Sequence, residues 1–147
     1  MRFTGIGIII LAISLGGCAS GIKHSDMEAS IPTIQADQGR IYFMRSASVL
    51  GAAIQPAIRL DGTEVGTSKP GGFFYVDIKP GNHEVMCSTE AERKLTFTLD
   101  KGEIKYVRTS IGMGFIAGHV IPELVGKEEA QKELPDLSYT GTVSGKK

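Results

Sequence analysis

Three histidines, two cysteines and a closely spaced pair of glutamates are the groups in this chain best suited to catalysis or metal binding. Zinc takes four ligands, which in sequence often come as closely spaced His or Cys pairs. His24, His83 and His119 lack such spacing, and Cys18 and Cys87 form no thiolate cluster. Each histidine therefore reads as a satisfied or solvated side chain, and no metal is expected. Glu90 and Glu92 would have to face each other across a cleft to hydrolyse a glycoside. Beside Arg93 and Lys94 they read more simply as a solvated charge cluster. Gly112-Met113-Gly114-Phe115-Ile116-Ala117-Gly118 approaches a dinucleotide fingerprint, but its last interval is one residue too long. No strand–helix unit surrounds it to present a phosphate site. Its glycines read instead as permitting a bulge or a close backbone approach. No serine sits in a G-x-S-x-G elbow. The sequence thus points to a non-enzymatic chain with no cofactor.

Cys18 carries a different chemistry. Met1-Arg2 gives a short positive start, and Ile6 to Leu15 is almost wholly apolar. That run is too short to span a bilayer, which takes about 20 residues. It matches the apolar region of a secretory signal, with small residues following. Leu15-Gly16-Gly17-Cys18 resembles the bacterial lipobox: an aliphatic residue, two small residues and the cysteine that receives diacylglycerol. Small side chains let a peptidase reach the bond before Cys18, and the thiol is the nucleophile that takes the lipid. The resemblance implies a signal peptide over 1–17, then a thioether lipid and an acylated amine, of the palmitate kind, at Cys18. Each buried CH₂ contributes about 0.8 kcal/mol, so one chain anchors marginally while two or three hold firmly. Residue 19 is Ala, where lipoproteins kept in an inner membrane usually carry Asp. The expected place is the outer membrane, facing the periplasm. Cys87 is then left without a partner in the chain; in step with Val85, it reads as a core thiol.

The elements that must position these groups read as β structure. Acidic and basic residues balance at 16 each, with no basic stripe to suggest nucleic acid. Nineteen glycines and no tryptophan suit a turn-rich β protein. Residues 18–36 show no period and read as a flexible tether, spanning roughly 20–25 Å on average. From Gly39 apolar residues alternate: Ile41 with Phe43, Ile58 with Leu60, Phe74 with Val76 and Ile78, Leu95 with Phe97 and Leu99. Asp61-Gly62 and Lys79-Pro80-Gly81-Asn82 are strong turn signals. Ser88 to Arg93 reads as a polar loop, and Phe115 to Ile121 as the last strand. The spacing predicts a small antiparallel β-sandwich of about seven strands over 37–125. A short C-terminal helix is expected over Lys127 to Leu134, where Glu128 precedes Lys132 by one turn and Pro135 stops it. Residues 136–147 read as frayed. With Phe74 and Val76 inward, Phe73 and Tyr75 face the other way, a possible surface for a protein or carbohydrate partner.

Gly39-Arg40-Ile41-Tyr42, Arg59-Leu60-Asp61-Gly62, Ser68-Lys69-Pro70-Gly71-Gly72-Phe73-Phe74, Pro80-Gly81-Asn82-His83-Glu84-Val85 and Gly102-Glu103-Ile104-Lys105-Tyr106 follow one another in an order that resembles the bacterial lipoprotein family DUF2846. The resemblance covers about residues 37 to 125 and implies a β-sandwich of the envelope with no assigned activity. The same cadence is similar to PEGA-type and prealbumin-like modules, which act as adhesive or spacer domains, although the Pro-Glu-Gly-Ala signature is absent. The expected function is a lipid-anchored binding or scaffolding module, touching the membrane through Cys18 and an envelope protein or the cell wall through its domain. A periplasmic inhibitor or sensor of an envelope enzyme is the alternative, and an envelope hydrolase a more distant one.

Overall fold

The computed structural model describes residues 18–89, 92–112 and 118–141. The signal region, Glu90, Met113–Ala117 and the last six residues, on which several expectations fall, lie outside it.

Among the described residues nine strands form two packed sheets: β1 (Gly39–Arg45), β2 (Ala57–Leu60), β3 (Thr63–Thr67), β4 (Gly72–Ile78), β5 (Gly81–Ser88), β6 (Glu92–Leu99), β7 (Ile104–Gly112), β8 (His119–Val125) and β9 (Ser138–Tyr139). One sheet has the order β8-β7-β1-β4-β9 and the other β3-β2-β5-β6. The expected mainly β sandwich is present, with two more strands than expected and with mixed pairing. β1 runs parallel to β7, and β4 parallel to β9; the other pairs are antiparallel. Asp61 and Gly62 both take positive φ, 51° and 82°, which gives β2–β3 its tight turn.

Ile41, Phe43, Ile58, Leu60, Phe74, Val85, Leu99 and Val107 fill the space between the sheets. Cys87 lies fully buried among them, and burial pushes its thiol up to about 11, so it stays protonated and inert. The outer face of the five-stranded sheet is covered as well. There Tyr42, Met44, Phe73 and Tyr106 pack against Ala130, Leu134 and Leu137. Ala130 belongs to the short helix α2 (Lys127–Glu133), the C-terminal helix expected from the sequence. Arg108 of β7 fastens that helix, reaching Glu129 at 2.5 Å and Glu133 at 2.8 Å as well as Glu123 of β8 at 3.0 Å.

Four expectations need correction. In the expected polar loop Ser88–Arg93, Ser88, Glu92 and Arg93 belong to strands, because β5 and β6 pair out to Ser88 opposite Glu92. The last long strand runs on through Pro122 to Val125. β8 is the edge of its sheet, the place where a strand tolerates a proline such as Pro122. The segment after Asp136 is not frayed at its start: Leu137 is buried and β9 pairs with Gly72 and Phe73. Nor are residues 18–36 a free tether. His24–Met27 form the short helix α1, Lys23 bridges to Ser138, and the His24 N–H donates to the Leu137 carbonyl at 2.8 Å. A two-residue strand and a single helical turn have no period to read, so their docking is a property of the tertiary fold.

Candidate functional site

The outer face of the five-stranded sheet builds a concavity. Side chains alternate along a strand, so Tyr42 on β1 and Tyr106 on β7 stand outward at register-paired positions. Their rings stack with centroids 5.5 Å apart. α1 and the turn after α2 close over them, leaving a cleft of about 460 Å³. The tyrosines and His24 form its wall, Glu28, Lys127 and Gln131 bring polar groups, and Ile31 and Leu134 complete the lining. Burial pushes both phenols up, so they remain neutral. The cleft therefore offers an aromatic wall edged by one carboxylate, one ammonium and one amide, a chemistry suited to a sugar or a peptide.

His24 is the unusual member. It is 6% exposed, and its ring meets Phe73 edge-on at 5.1 Å and Tyr42 at 6.1 Å. Its Nδ1 is buried without a hydrogen-bond partner. Burial lowers its pKa below 6.5, and Glu28 opposes this only in part. Between the two pKa values the unfolded chain binds a proton that the folded one refuses, so stability is full above pH 6.5 and falls as pH drops below it. In urea denaturation between pH 7 and pH 5, wild type should lose more stability than His24→Phe, which keeps the ring contacts without the titration. Equal slopes would show that His24 does not titrate in this way. The lowered carboxyls of Asp61 and Glu103 act below about pH 4.5 and leave this window clear.

The other residues singled out from the sequence are not brought together. His83 places Nδ1 2.7 Å from Asp61 Oδ2 and donates from Nε2 to the Lys79 carbonyl at 2.9 Å, a structural clamp on two turns. His119 begins β8, and its Nδ1 is buried without a partner. Glu92 is exposed at the start of β6. Among the described residues no three His, Cys, Asp or Glu side chains gather as for a metal ion.

Phe73 and Tyr75 do not form the outward surface that alternation suggested. Phe73 is 0% exposed, covered by His24 and by Tyr139 at 5.5 Å. Tyr75 is half-buried, with the Arg40 guanidinium 4.3 Å above its ring centre. Arg40 is itself fixed by both oxygens of Asp77, at 2.6 and 2.7 Å, and by the Pro32 carbonyl. Both aromatic residues therefore belong to the packing under the N-terminal segment. Tyr42, Tyr106 and His24 were missed as a group because α1 brings His24 to the strands from far along the chain. The available signal was the uninterrupted apolar run Ile41-Tyr42-Phe43-Met44, which marks a strand covered on both faces.

Cys18 is exposed at the start of the described chain. The very next residue is already bound to the fold: the Ala19 N–H donates to the Pro70 carbonyl at 3.0 Å. No helix among the described residues is long and apolar enough to cross a membrane.

A family described as a protein of unknown function, DUF2846, matches residues 35–120. An uncharacterized protein of Haemophilus influenzae is 27% identical over 141 residues, which is 92% of this chain and 83% of the relative. The family match takes in β1 to β7 and thus both sheets, while the relative's similarity reaches into the flanking segments that close the cleft. On the extent of that match, the chain belongs to the DUF2846 family.

Proposed function

We propose that this protein is a lipid-anchored, non-enzymatic module of the bacterial cell envelope, held at the outer membrane through Cys18 and binding an envelope partner or cell-wall component on its folded domain. The observation that carries the reading is the sequence Leu15-Gly16-Gly17-Cys18 behind a charged start and an apolar run. An exposed Cys18 thiol at the margin of the fold is consistent with it, since an acylated residue needs room for its chains. The cleft between Tyr42, Tyr106 and His24 supplies the concave surface with convergent polar groups that a binding role requires.

The test is Cys18→Ala in the full-length chain, expressed with its own leader. Wild type should fractionate with the outer membrane and, by mass spectrometry, begin at an acylated Cys18. The variant should lose the acyl mass and leave the membrane fraction. A wild-type product that retains residues 1–17 without added acyl mass would overturn the anchor.

A further inference from the structure

Val49 and Leu50 are 94% and 64% exposed, and they sit at the tip of the loop joining β1 to β2. No charged residue occurs from Ser46 to Ile58. A mobile loop of that composition would fold its apolar side chains back onto the sandwich. This one is braced by its own hydrogen bonds. The Leu50 N–H donates to Ser48 Oγ at 3.2 Å, the Ala52 N–H to the Val49 carbonyl at 3.2 Å, and the Ile54 N–H to the Gly51 carbonyl at 3.0 Å. Beneath it, the buried Arg45 guanidinium donates to the carbonyls of Gly51, Ile54 and Ser68. Gly51 takes a φ of 68°, which turns the chain so that its two predecessors project.

The loop shares its end of the sandwich with the anchor. Ala19 is bonded to Pro70, and a Cβ on Gly72 would lie 3.3 Å from the Ala19 methyl. On the other side of the same turn, a Cβ on Gly71 would lie 3.4 Å from the Ala47 methyl. One turn, Pro70-Gly71-Gly72, therefore separates the residue after Cys18 from the root of the apolar loop. The turns at the opposite end carry charge: Asp61-Gly62, Lys79-Pro80 and Asp100-Lys101-Gly102-Glu103.

We infer that this end of the domain lies against the bilayer, with Val49 and Leu50 entering the interfacial region as a second, non-covalent contact beside the lipid on Cys18. The inference rests on the anchor reading and adds an orientation to it. A bilayer is the occupant because the acyl chains leave the fold here, and because residues 18–23 are docked and give the domain no slack to turn away. Lys69, half-buried in the intervening turn, suits anionic headgroups. Ser88 and Glu92, paired at the ends of β5 and β6, also lie toward this end, on the edge of the other sheet away from β3, and the domain tilts with that edge raised.

The chain has no tryptophan, so one can be introduced as a reporter. The acylated full-length protein carrying Leu50→Trp is reconstituted into vesicles of phosphatidylethanolamine and phosphatidylglycerol with brominated acyl chains. A Lys101→Trp protein, labelled at the opposite end, serves as control. The indole at position 50 should show blue-shifted emission that the bromines quench, while the control stays red-shifted and unquenched. A blue shift without quenching would mean that a protein, or a second copy of this chain, covers the loop, and would overturn the inference. Equal solvent exposure of both indoles would overturn it too, with the anchor left standing as long as the protein floats with the vesicles. Protein that fails to float removes the anchor reading, and this inference with it.

Discussion

Arg45→Met lowers stability by about 2–4 kcal/mol, because three backbone carbonyls lose their common donor. Arg45 is 3% exposed and stands on the inner face of β1, at the end of the row Ile41 and Phe43. It caps the space between the sheets. Nη1 donates to the Ile54 carbonyl at 2.6 Å and to the Ser68 carbonyl at 3.0 Å, and Nη2 to the Gly51 carbonyl at 2.9 Å. Ser68 Oγ, in turn, is 2.8 Å from the Thr109 hydroxyl on β7. Burial lowers the guanidinium pKa, yet an arginine remains charged, so a cation is kept inside the fold by carbonyl dipoles. Methionine fills part of the volume and removes the desolvation cost of the charge, which is why the expected loss is not larger. Arg45→Lys should recover less than half of it, since one ammonium lacks the fork that spans three acceptors. Urea denaturation gives the stability. Amide exchange of Ile54, whose N–H bonds to Gly51, reports whether the loop has loosened. A change within about 0.5 kcal/mol, the range of ordinary surface substitutions, would show that Arg45 does not hold this end of the sandwich together.

The same residue shows what the sequence could and could not reveal. Turn positions were legible because their chemistry is local: Asp61-Gly62 and Lys79-Pro80 sit where they were expected, between strands whose alternation is clear. The C-terminal helix was legible from a charge pair and a proline. Arg45 gave no such signal, because its partners lie on the β1–β2 loop and on the turn after β3, and one-dimensional patterns carry no record of them. The cleft was hidden for the same reason. Tyr42 and Tyr106 become neighbours through the parallel β1–β7 pairing, which links strands separated by most of the domain. Alternation on β4 was read correctly for Phe74 and Val76, but it cannot say whether the opposite face meets water or a second layer.

That ambiguity makes Phe73 decisive. Phe73→Ala should cost about 3–5 kcal/mol, the usual range for removing a buried phenylalanine, because the ring is the floor on which the N-terminal segment and β9 rest. Its side chain meets His24 and Tyr139, and its carbonyl accepts the Thr140 N–H at 2.8 Å. Loss of the ring removes contacts from both docked pieces at once. The Ala19–Pro70 and His24–Leu137 hydrogen bonds should then open more often than the sandwich itself, since neither piece makes enough contact to stay down alone. Amide exchange at His24 and limited proteolysis after Lys23 should both accelerate, while protection along β1 and β7 persists to the global limit. Phe73→Leu, which keeps most of the volume, should restore a large part of the protection. If Phe73→Ala instead behaves as a surface change, with stability and exchange unaltered, the ring is exposed and the alternation reading of a free partner surface is the correct one. If it releases the segment, the distance between Cys18 and the domain is set by packing around this ring, and loosening that packing converts a closely held module into one on a flexible leash.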